Sequence, residues 1–337
     1  MQRILVTGTA GFIGYHLAEL LLAEGFEVHG YDGLTDYYDV NLKRRRNQRL
    51  LQHANFSATE AMLEDDAKLR AVATEFQPDA IVHLAAQAGV RYSLEQPRAY
   101  VDSNVVGTFN ILELARQLGT KHLLMASTSS VYGANEDMPF IETEKTDTQL
   151  SIYAATKKAT ESMAHSYAHL FGIPVTMVRF FTVYGTWGRP DLALFKFVDA
   201  ILDGRPIEVY NHGDMSRDFT FVTDLVRAIR LLIPVAPPNP DQRDEPVPGD
   251  SLSKVAPFRI VNIGNSEPVR LLDFIEIIEQ QLGKTAVREY LPMQPGDVRA
   301  TWADASLLRE LTGYRPSTGI RDGVAAFVAW FRDYYQK

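Results

Sequence analysis

Two groups of polar side chains in this 337-residue chain have the types and the spacing that acid-base chemistry needs. Four hydroxyl residues in a row, Ser127, Thr128, Ser129 and Ser130, precede an apolar-aromatic pair and a glycine in the stretch ASTSSVYG. Farther along, SIYAATKKATE places Tyr153 and Lys157 four residues apart, on one face of a predicted helix. An ammonium beside a phenol lowers the pKa of the phenol, so a tyrosinate could remove a hydroxyl proton near neutral pH. Neither group is specific alone, because hydroxyls also close strand ends and such tyrosine-lysine pairs also arise by chance.

The stretch TGTAGFIG is typical of a dinucleotide-binding turn between a strand and a helix. Gly8 suits a tight turn, Gly11 lets a pyrophosphate approach the backbone, and Gly14 lets the helix pack closely. The N–H groups of Phe12 and Ile13, at the predicted helix start, would face the phosphates. We therefore expect a bound dinucleotide at this turn.

Asp32 lies at the end of the second predicted strand, where a carboxylate accepts hydrogen bonds from the adenosine ribose. This residue favours NAD over NADP, whose 2′-phosphate it would repel; the alternative is a turn residue before Gly33. The basic run at residues 43–46 either rims the cofactor or forms a solvated helical face.

These residues need a scaffold, and the surrounding pattern predicts one. Short apolar runs such as RILVTG, DAIVHLA, KHLLMAS and FRIVNIG alternate with longer segments of helical period. This alternation predicts an α/β fold with a doubly wound parallel sheet covered by helices on both faces. The proline-rich and charged stretch at residues 234–257 lacks any period, and we expect an exposed loop there.

Composition limits the classes of function. A net charge of −8 without a dominant basic tract argues against a nucleic-acid partner. The absence of cysteine excludes disulfides, thiolate metal sites and cysteine nucleophiles, and we predict no metal site. No apolar run is long enough to span a bilayer or to form a signal peptide, so the expectation is a cytoplasmic enzyme without a membrane partner.

Taken in order, the glycine-rich turn, the hydroxyl cluster and the tyrosine-lysine pair resemble the extended short-chain dehydrogenase/reductases. The segments DGLTDYYDVNLKRRR, AAQAGVRYS, RFFTVYGTWGRPDLA, VYNHGDMSRDFTFVTDL and QPGDV resemble the nucleotide-sugar branch, and within it the UDP-glucuronic acid 4-epimerases. The resemblance implies a Rossmann domain at residues 1–180 that binds NAD, to which 217–232 and 258–267 return. It further implies a smaller C-terminal lobe, 181–216 and 268–337, that binds a UDP-sugar, and a homodimer formed through the helix of the tyrosine-lysine pair.

The resemblance also implies roles for individual residues. Thr128, Tyr153 and Lys157 would be catalytic, with Tyr153 as the base. Additional cofactor-binding residues would be Leu84, Ala85, Ala86, Gln87 and Asn104. Arg217 would bind the UDP diphosphate and Asp297 the uridine ribose. Three positions depart from the pattern of relatives: Thr9 replaces a frequent glycine, Met62 a frequent aspartate toward the adenine, and Gln294 the second arginine of galactose epimerases.

Ser129 and Ser130 distinguish between the reactions of this branch. The 4,6-dehydratases carry Asp and Glu at these positions, and UDP-glucuronate decarboxylases carry Glu at the second. Two serines therefore favour 4-epimerisation of UDP-glucuronate through a 4-keto sugar, with hydride returned to its other face.

The uronic carboxylate would be held by four side chains, namely Ser129, Ser130, Thr182 and Arg189. Arg91 is a further candidate ligand of the sugar. Alternatively, Arg189 is a turn residue and Arg91 forms a structural salt bridge. Alternative functions are a related nucleotide-sugar epimerase, a UDP-glucuronate decarboxylase, or, more remotely, a non-catalytic dinucleotide-binding protein.

Overall fold

The computed structural model describes residues 2–243 and 249–337, and its centre is a parallel sheet of seven strands. The buried segments of the sheet are rich in Ile, Val and Leu because helices cover both faces. In spatial order the strands are β10 (Phe258–Ile263), β6 (Val175–Phe180), β5 (Leu123–Thr128), β4 (Ala80–His83), β1 (Arg3–Thr7), β2 (Glu27–Asp32) and β3 (Phe56–Glu60). The strand order reverses between β1 and β4, which places a cleft at their carboxyl ends. The predicted doubly wound Rossmann fold is confirmed.

Helices cover this sheet on both sides. They are α1 (Phe12–Ala23), α2 (Val40–Leu50), α3 (Asp66–Phe76), α4 (Tyr92–Glu95), α5 (Pro97–Tyr100), α6 (Gly107–Leu118), α7 (Ile152–Phe171) and α9 (Val222–Leu232). Two apolar clusters form, one on each face of the sheet, with α1 and α9 packed in the first and α6 and α7 in the second. A π-helical turn, Val101–Val106, leads into α6.

The remaining elements form a smaller lobe with its own apolar cluster. Its strands are β7 (Thr182–Tyr184), β8 (Ile207–Val209), β9 (Ser216–Phe221), β11 (Pro268–Arg270) and β12 (Arg288–Tyr290). Its helices are α8 (Ala193–Leu202), α10 (Leu271–Leu282) and α12 (Ile320–Tyr335). Helix α11 (Ser306–Thr312) belongs to the packing of the larger lobe instead, because Leu307 and Leu308 pack against α9 and β10.

The proline-rich segment 234–257 includes residues 244–248, which lie outside the described residues. The sequence predicts an exposed loop for the whole segment, but part of the described remainder is buried. Ala256 is fully buried against the sheet, and Asp250 forms a buried ion pair with Arg259 of β10 at 2.9 Å. Those two contacts anchor the end of the segment just before β10 begins. In the described ranges, no helix has the length and apolarity that crossing a membrane requires.

Candidate active site

Helix α7 carries the tyrosine-lysine pair at its first turns. Ser151 caps the helix by accepting the N–H of Ala154 at 3.1 Å, which starts α7 just before Tyr153. A phenolate at this position lies near the positive end of the helix dipole. Burial raises the pKa of Tyr153, while the hydroxyl of Thr128 and the positive charge of Arg189 lower it. The predicted base therefore lies beside two groups that stabilise its charged form.

Lys157 is one turn farther along α7 and is only 3 % exposed. Burial lowers the pKa of its ammonium to about 8, against the opposing effect of Glu161. Within residues 2–243 and 249–337, this ammonium has neither a hydrogen-bond acceptor nor an ion-pair partner in reach. A buried, unpartnered ammonium is costly, so the site fits an additional ligand that supplies oxygen acceptors to Lys157.

The hydroxyl cluster closes β5. Thr128 is the last strand residue, and its Oγ1 accepts the N–H of Ser130 at 3.2 Å, which starts a 3-10 turn over Ser129–Tyr132. The Thr128 hydroxyl also donates to Ser130 Oγ at 3.2 Å. Thr128 is buried, whereas Ser129 and Ser130 are half-buried at the cleft. The two serines are therefore available to a ligand near Tyr153.

Ser127, the first member of the cluster, has a different environment. Its hydroxyl donates to Glu161 at 2.7 Å. The Glu161 carboxylate also accepts two hydrogen bonds from the guanidinium of Arg179 on β6, at 2.9 and 3.0 Å. All three side chains are buried. This network was not predicted, although Glu161 follows Lys157 at helical spacing. It joins β5, β6 and α7 beneath the catalytic candidates and so fixes their relative position.

The glycine-rich turn forms the cradle that its sequence predicts. Gly8 has a φ of +82°, and a Cβ there would lie 2.9 Å from the backbone nitrogen of Ala85. A Cβ on Gly14 would lie 2.1 Å from the Gly8 carbonyl oxygen, so only glycine lets α1 pack this closely. Helix α1 begins at Phe12 without a side-chain cap. The free N–H groups of Phe12 and Ile13 thus fit a dinucleotide pyrophosphate.

Asp32 is placed at the mouth of this cradle. Its carboxylate accepts the N–H of Ala10 at 2.9 Å and that of Leu34 at 2.8 Å. Burial raises the pKa of Asp32, whereas the hydrogen bond from Leu34 and the charge of Lys43 lower it. The departure at Thr9 is accommodated by Gly30, where a Cβ would lie 2.4 Å from the threonine hydroxyl.

The segment after β4 lines the other side of the cradle. The Thr7 hydroxyl accepts the N–H groups of Leu84 and Ala85, each at 3.1 Å. Asn104, on the π-helical turn, accepts the N–H of Gln87 at 2.8 Å and donates to its carbonyl at 3.0 Å. It also donates to Thr156 of α7 at 3.1 Å. Asn104 therefore joins the segment at Gln87 to helix α7, which carries the tyrosine-lysine pair.

Arg189 contributes a positive charge near Tyr153. Its Nε and Nη2 bind the Asp191 carboxylate at 3.0 and 2.5 Å, and Tyr37 donates to the same carboxylate at 3.1 Å. Thr182 lines a cavity of about 40 Å³ together with Arg189. Asp191 and Tyr37 were not predicted, although Asp191 follows Arg189 by two residues. The contacts leave Nη1 of Arg189 without a partner in the part of the chain that the structure describes.

The predicted UDP ligands lie together in the smaller lobe. Arg217 of β9 donates to Asp297 at 2.7 Å and to the Val298 carbonyl at 2.7 Å. Burial lowers the pKa of Arg217, and Asp297 opposes this effect. Arg91 lies 4.4 Å from the ring centroid of Tyr210, so its contact is a cation-π contact and not the salt bridge considered as an alternative.

The structure also shows the surroundings of Met62 and Gln294, two positions that depart from the pattern of relatives. Met62 is 41 % exposed, and its sulfur lies 2.3 Å from the position of a Cβ on Gly33, next to Asp32. The side-chain oxygen of Gln294 is buried and has no hydrogen-bond partner among the described residues. Within the same residues, no group of three or more His, Asp or Glu side chains could hold a metal ion.

A glycine cradle below an uncapped helix, a buried tyrosine-lysine pair and a doubly wound sheet define a dinucleotide-dependent enzyme of the short-chain dehydrogenase/reductase type. Sequence comparison places the chain within one family of that class. The family described as GDP-mannose 4,6 dehydratase matches residues 5–327, and the chain belongs to this family.

Individual relatives are similar over their whole lengths. A protein of Rhizobium meliloti named probable UDP-glucuronate 4-epimerase is 55% identical over 337 residues, which are 100% of this chain and 98% of the relative. The UDP-glucuronate 4-epimerase of Thermodesulfobacterium geofontis is 41% identical over 99% of this chain and 97% of its own. The crystal structure of UDP-glucuronic acid 4-epimerase from Bacillus cereus, in complex with UDP-glucuronic acid and NAD, has a TM-score of 0.87 at 30% identity, covering 99% and 100% of the two chains.

Proposed function

We propose that this chain is a NAD-dependent UDP-glucuronate 4-epimerase that produces UDP-galacturonate. The observation that carries the proposal is the turn Ser129–Tyr132, which presents two serines and no carboxylate beside Thr128 and Tyr153. The epimerases of R. meliloti and T. geofontis support the reaction, and the complex from B. cereus supports both ligands. NAD bound in this cradle would supply the hydride acceptor and donor that inversion at C4 of the sugar needs, with no net redox change.

The chain's own residues handle the proton. Tyr153 removes the proton from the sugar 4-hydroxyl and later returns it, which requires a phenolate near neutral pH. Thr128, Arg189 and the helix dipole stabilise the phenolate against the effect of burial. Lys157 would donate hydrogen bonds to the ribose next to the nicotinamide, which would give its buried ammonium acceptors. Gly8, Gly11 and Gly14 would hold the pyrophosphate of the cofactor, and Asp32 its adenosine ribose.

Retention of the carboxylate is the second task of the site. A 4-keto uronic acid is a β-keto acid, which loses carbon dioxide when its carboxylate aligns with the carbonyl system. Ser129, Ser130 and Thr182 offer neutral hydroxyls, and Nη1 of Arg189 offers a charged donor. Together they hold the carboxylate in the sugar plane. The acid and base of a 4,6-dehydratase, and the Glu of a decarboxylase, have no equivalent at Ser129 and Ser130.

The UDP group occupies the smaller lobe. Arg217 binds the diphosphate through its guanidinium fork, and Asp297 accepts hydrogen bonds from the uridine ribose. These two side chains bind each other at 2.7 Å in the structure, so substrate exchanges this ion pair for contacts with UDP. Arg91 reaches the same region from the larger lobe and contacts the sugar.

The proposed enzyme works as a cytoplasmic homodimer. Helices α6 and α7 carry apolar side chains on the surface, including Phe109 at 45 % and Phe171 at 48 % exposure, with Val106 at 40 % next to α6. Pairing of α6 and α7 with the same helices of a second copy would cover this face. Sedimentation of Phe109→Glu against the unmodified chain tests the dimer: a dimeric variant would contradict the α6–α7 interface.

One assay tests the reaction. The chain is incubated with UDP-glucuronate and the products are followed by NMR; UDP-galacturonate is the expected product, and a UDP-pentose as the main product would establish a decarboxylase instead. Tyr153→Phe should abolish turnover. Tyr167→Phe is the matched control, because Tyr167 lies on the same helix but donates to Glu113 at 2.7 Å, away from the site. Equal activity of the two variants would contradict the role of Tyr153.

A further inference from the structure

The turn that presents Arg189 is held from the other lobe by its backbone. Three successive carbonyl groups, those of Thr186, Trp187 and Gly188, accept hydrogen bonds from side chains of the larger lobe. His16 of α1 donates to Thr186 at 2.8 Å, and Arg46 of α2 donates to Trp187 at 2.5 Å and to Gly188 at 3.3 Å. The turn 185–189 is therefore fastened directly before the residue assigned to the substrate carboxylate.

Arg46 is the central residue of this attachment. It is completely buried, and its other guanidinium nitrogen donates to the Ala10 carbonyl and to the Tyr38 hydroxyl, each at 2.8 Å. Ala10 belongs to the glycine-rich turn, so a single guanidinium joins the cofactor cradle to the Arg189 turn. The basic run at residues 43–46 is thus not a uniformly solvated face, since Lys43 is also buried and Arg44 is exposed.

The chemistry of Arg46 is unusual for a packing residue. Among the described residues it has no carboxylate partner, and its Nε lacks any acceptor. Burying an unpaired charge is expensive, and an apolar side chain would fill the same space at lower cost. A planar fork that spans several acceptors has one property that an apolar residue lacks, namely that it fixes the distance between the groups it binds.

The backbone of the turn needs such a restraint. Trp187 has a φ of +55°, a strained conformation that a bulky side chain keeps only where its surroundings impose it. Its ring packs against Tyr15 at 5.5 Å and Trp330 at 5.6 Å between centroids, while Arg46 holds its carbonyl. The side-chain packing and the hydrogen bond together keep the turn in one arrangement.

We propose that Arg46 is a positioning residue that locks the Arg189 turn to the glycine-rich turn and thereby sets the uronic carboxylate relative to the reacting carbon. This role rests on the proposed function. Without the lock, the Arg189 turn relaxes, its guanidinium moves relative to Tyr153, and the carboxylate of the 4-keto sugar is free to align for loss of carbon dioxide. Arg46 itself does not touch the sugar.

Arg46→Lys tests the proposal, because an ammonium keeps the charge but cannot bind Ala10 and Trp187 together through a fork. Arg70→Lys is the control: Arg70 is a half-exposed arginine of α3, away from both turns, whose Nε donates to both carboxylate oxygens of Asp66 at 2.7 and 2.8 Å. Two quantities are measured in the NAD-loaded chain. One is the ratio of UDP-galacturonate to UDP-pentose by NMR, which is independent of the amount of active protein. The other is the affinity for UDP-glucuronate relative to UDP-glucose by calorimetry.

For Arg46→Lys we expect the pentose share to rise about tenfold and the preference for UDP-glucuronate to fall about tenfold, with both unchanged in Arg70→Lys. An unchanged ratio and an unchanged preference in folded Arg46→Lys would overturn the proposal. If Arg46→Lys does not fold, Tyr38→Phe replaces it as the test, because it removes one hydrogen-bond partner of the Arg46 guanidinium. We then expect the pentose share to rise and the preference for UDP-glucuronate to fall, each about threefold. If the unmodified chain makes no UDP-galacturonate, the proposed function is refuted. The role of Arg46 is then still tested by the affinity for UDP-glucuronate relative to UDP-glucose.

Discussion

Replacement of Thr128 by valine tests the proposal that Tyr153 is a base whose phenolate Thr128 stabilises. The two side chains have nearly the same shape, so Thr128→Val removes one hydroxyl from the end of β5 while filling the same space. That hydroxyl donates to Ser130 in the structure, and its hydrogen bond with Tyr153 lowers the pKa that burial has raised. The variant therefore removes one of the groups that stabilise the phenolate.

The size of the effect follows from the energy of one hydrogen bond. A hydrogen bond contributes about 2 kcal/mol to a charged acceptor and about 1 kcal/mol to a neutral one, so the hydroxyl favours the phenolate over the phenol by about 1 kcal/mol, and one pKa unit corresponds to about 1.4 kcal/mol. Loss of the Thr128 contact should then raise the pKa of Tyr153 by about 0.7 unit, and below that pKa the phenolate fraction falls about fivefold. Loss of the acceptor for the Ser130 N–H adds a separate stability cost of about 1 kcal/mol.

The assay is the pH dependence of kcat with saturating UDP-glucuronate. We expect the acid limb of the profile to move upward by about 0.7 unit in Thr128→Val, with a rate at high pH close to that of the unmodified enzyme. Thr120→Val is the control, since Thr120 is also a buried threonine but precedes β5 at the opposite end of the strand. A uniform fall of kcat at every pH, with no movement of the limb, would refute the reasoning and leave Thr128 a role in substrate placement only.

Three further predictions concern stability and cofactor binding. Burial raises the pKa of Glu142 to about 7 from an ordinary 4.5, so the folded state holds a proton that the unfolded state loses as pH rises from 4.5 to 7. Stability should fall by up to about 3 kcal/mol across that window, and Glu142→Gln, which keeps an acceptor for the Asn262 N–H, should flatten the dependence in urea melts. Glu161→Gln leaves Arg179 buried without its counter-charge, and we expect a loss of about 3 to 5 kcal/mol in the same melts; a loss below 1 kcal/mol would contradict this. Asp32→Asn should weaken NAD binding about tenfold and reduce the preference over NADP, as measured by calorimetry, and an unchanged preference would contradict the ribose contact.

Much of the larger lobe could be predicted because its signals are local. A buried parallel strand is a short apolar run, and the turn after β1 needs glycine for reasons that arise within a few residues. Tyr153 and Lys157 share a helix, so their spacing alone brings them together. The same holds for Ser129 and Ser130, whose place beside Thr128 follows from the end of β5.

The contacts that shape the site could not be predicted, because they join residues far apart in the chain. Arg46 and Trp187 are separated by 141 positions, and Ser127 and Glu161 by 34. In the sequence, Arg46 is one of four consecutive basic residues, and nothing in KRRR distinguishes the buried arginine from its exposed neighbour Arg44. Helix phase decides that difference, and the phase becomes visible only when α2 is packed against the Arg189 turn.

The pairing of Arg189 with Asp191 would let one arginine serve both the proposed base, Tyr153, and the proposed substrate. An unpaired guanidinium near Tyr153 would bind the phenolate directly and would compete with proton transfer. Because Asp191 holds two nitrogens of Arg189, the guanidinium is kept in one orientation and much of its charge is balanced. It still lowers the pKa of Tyr153. The remaining nitrogen then suits a single directed bond to a carboxylate, which holds that group in place without drawing it onto the base.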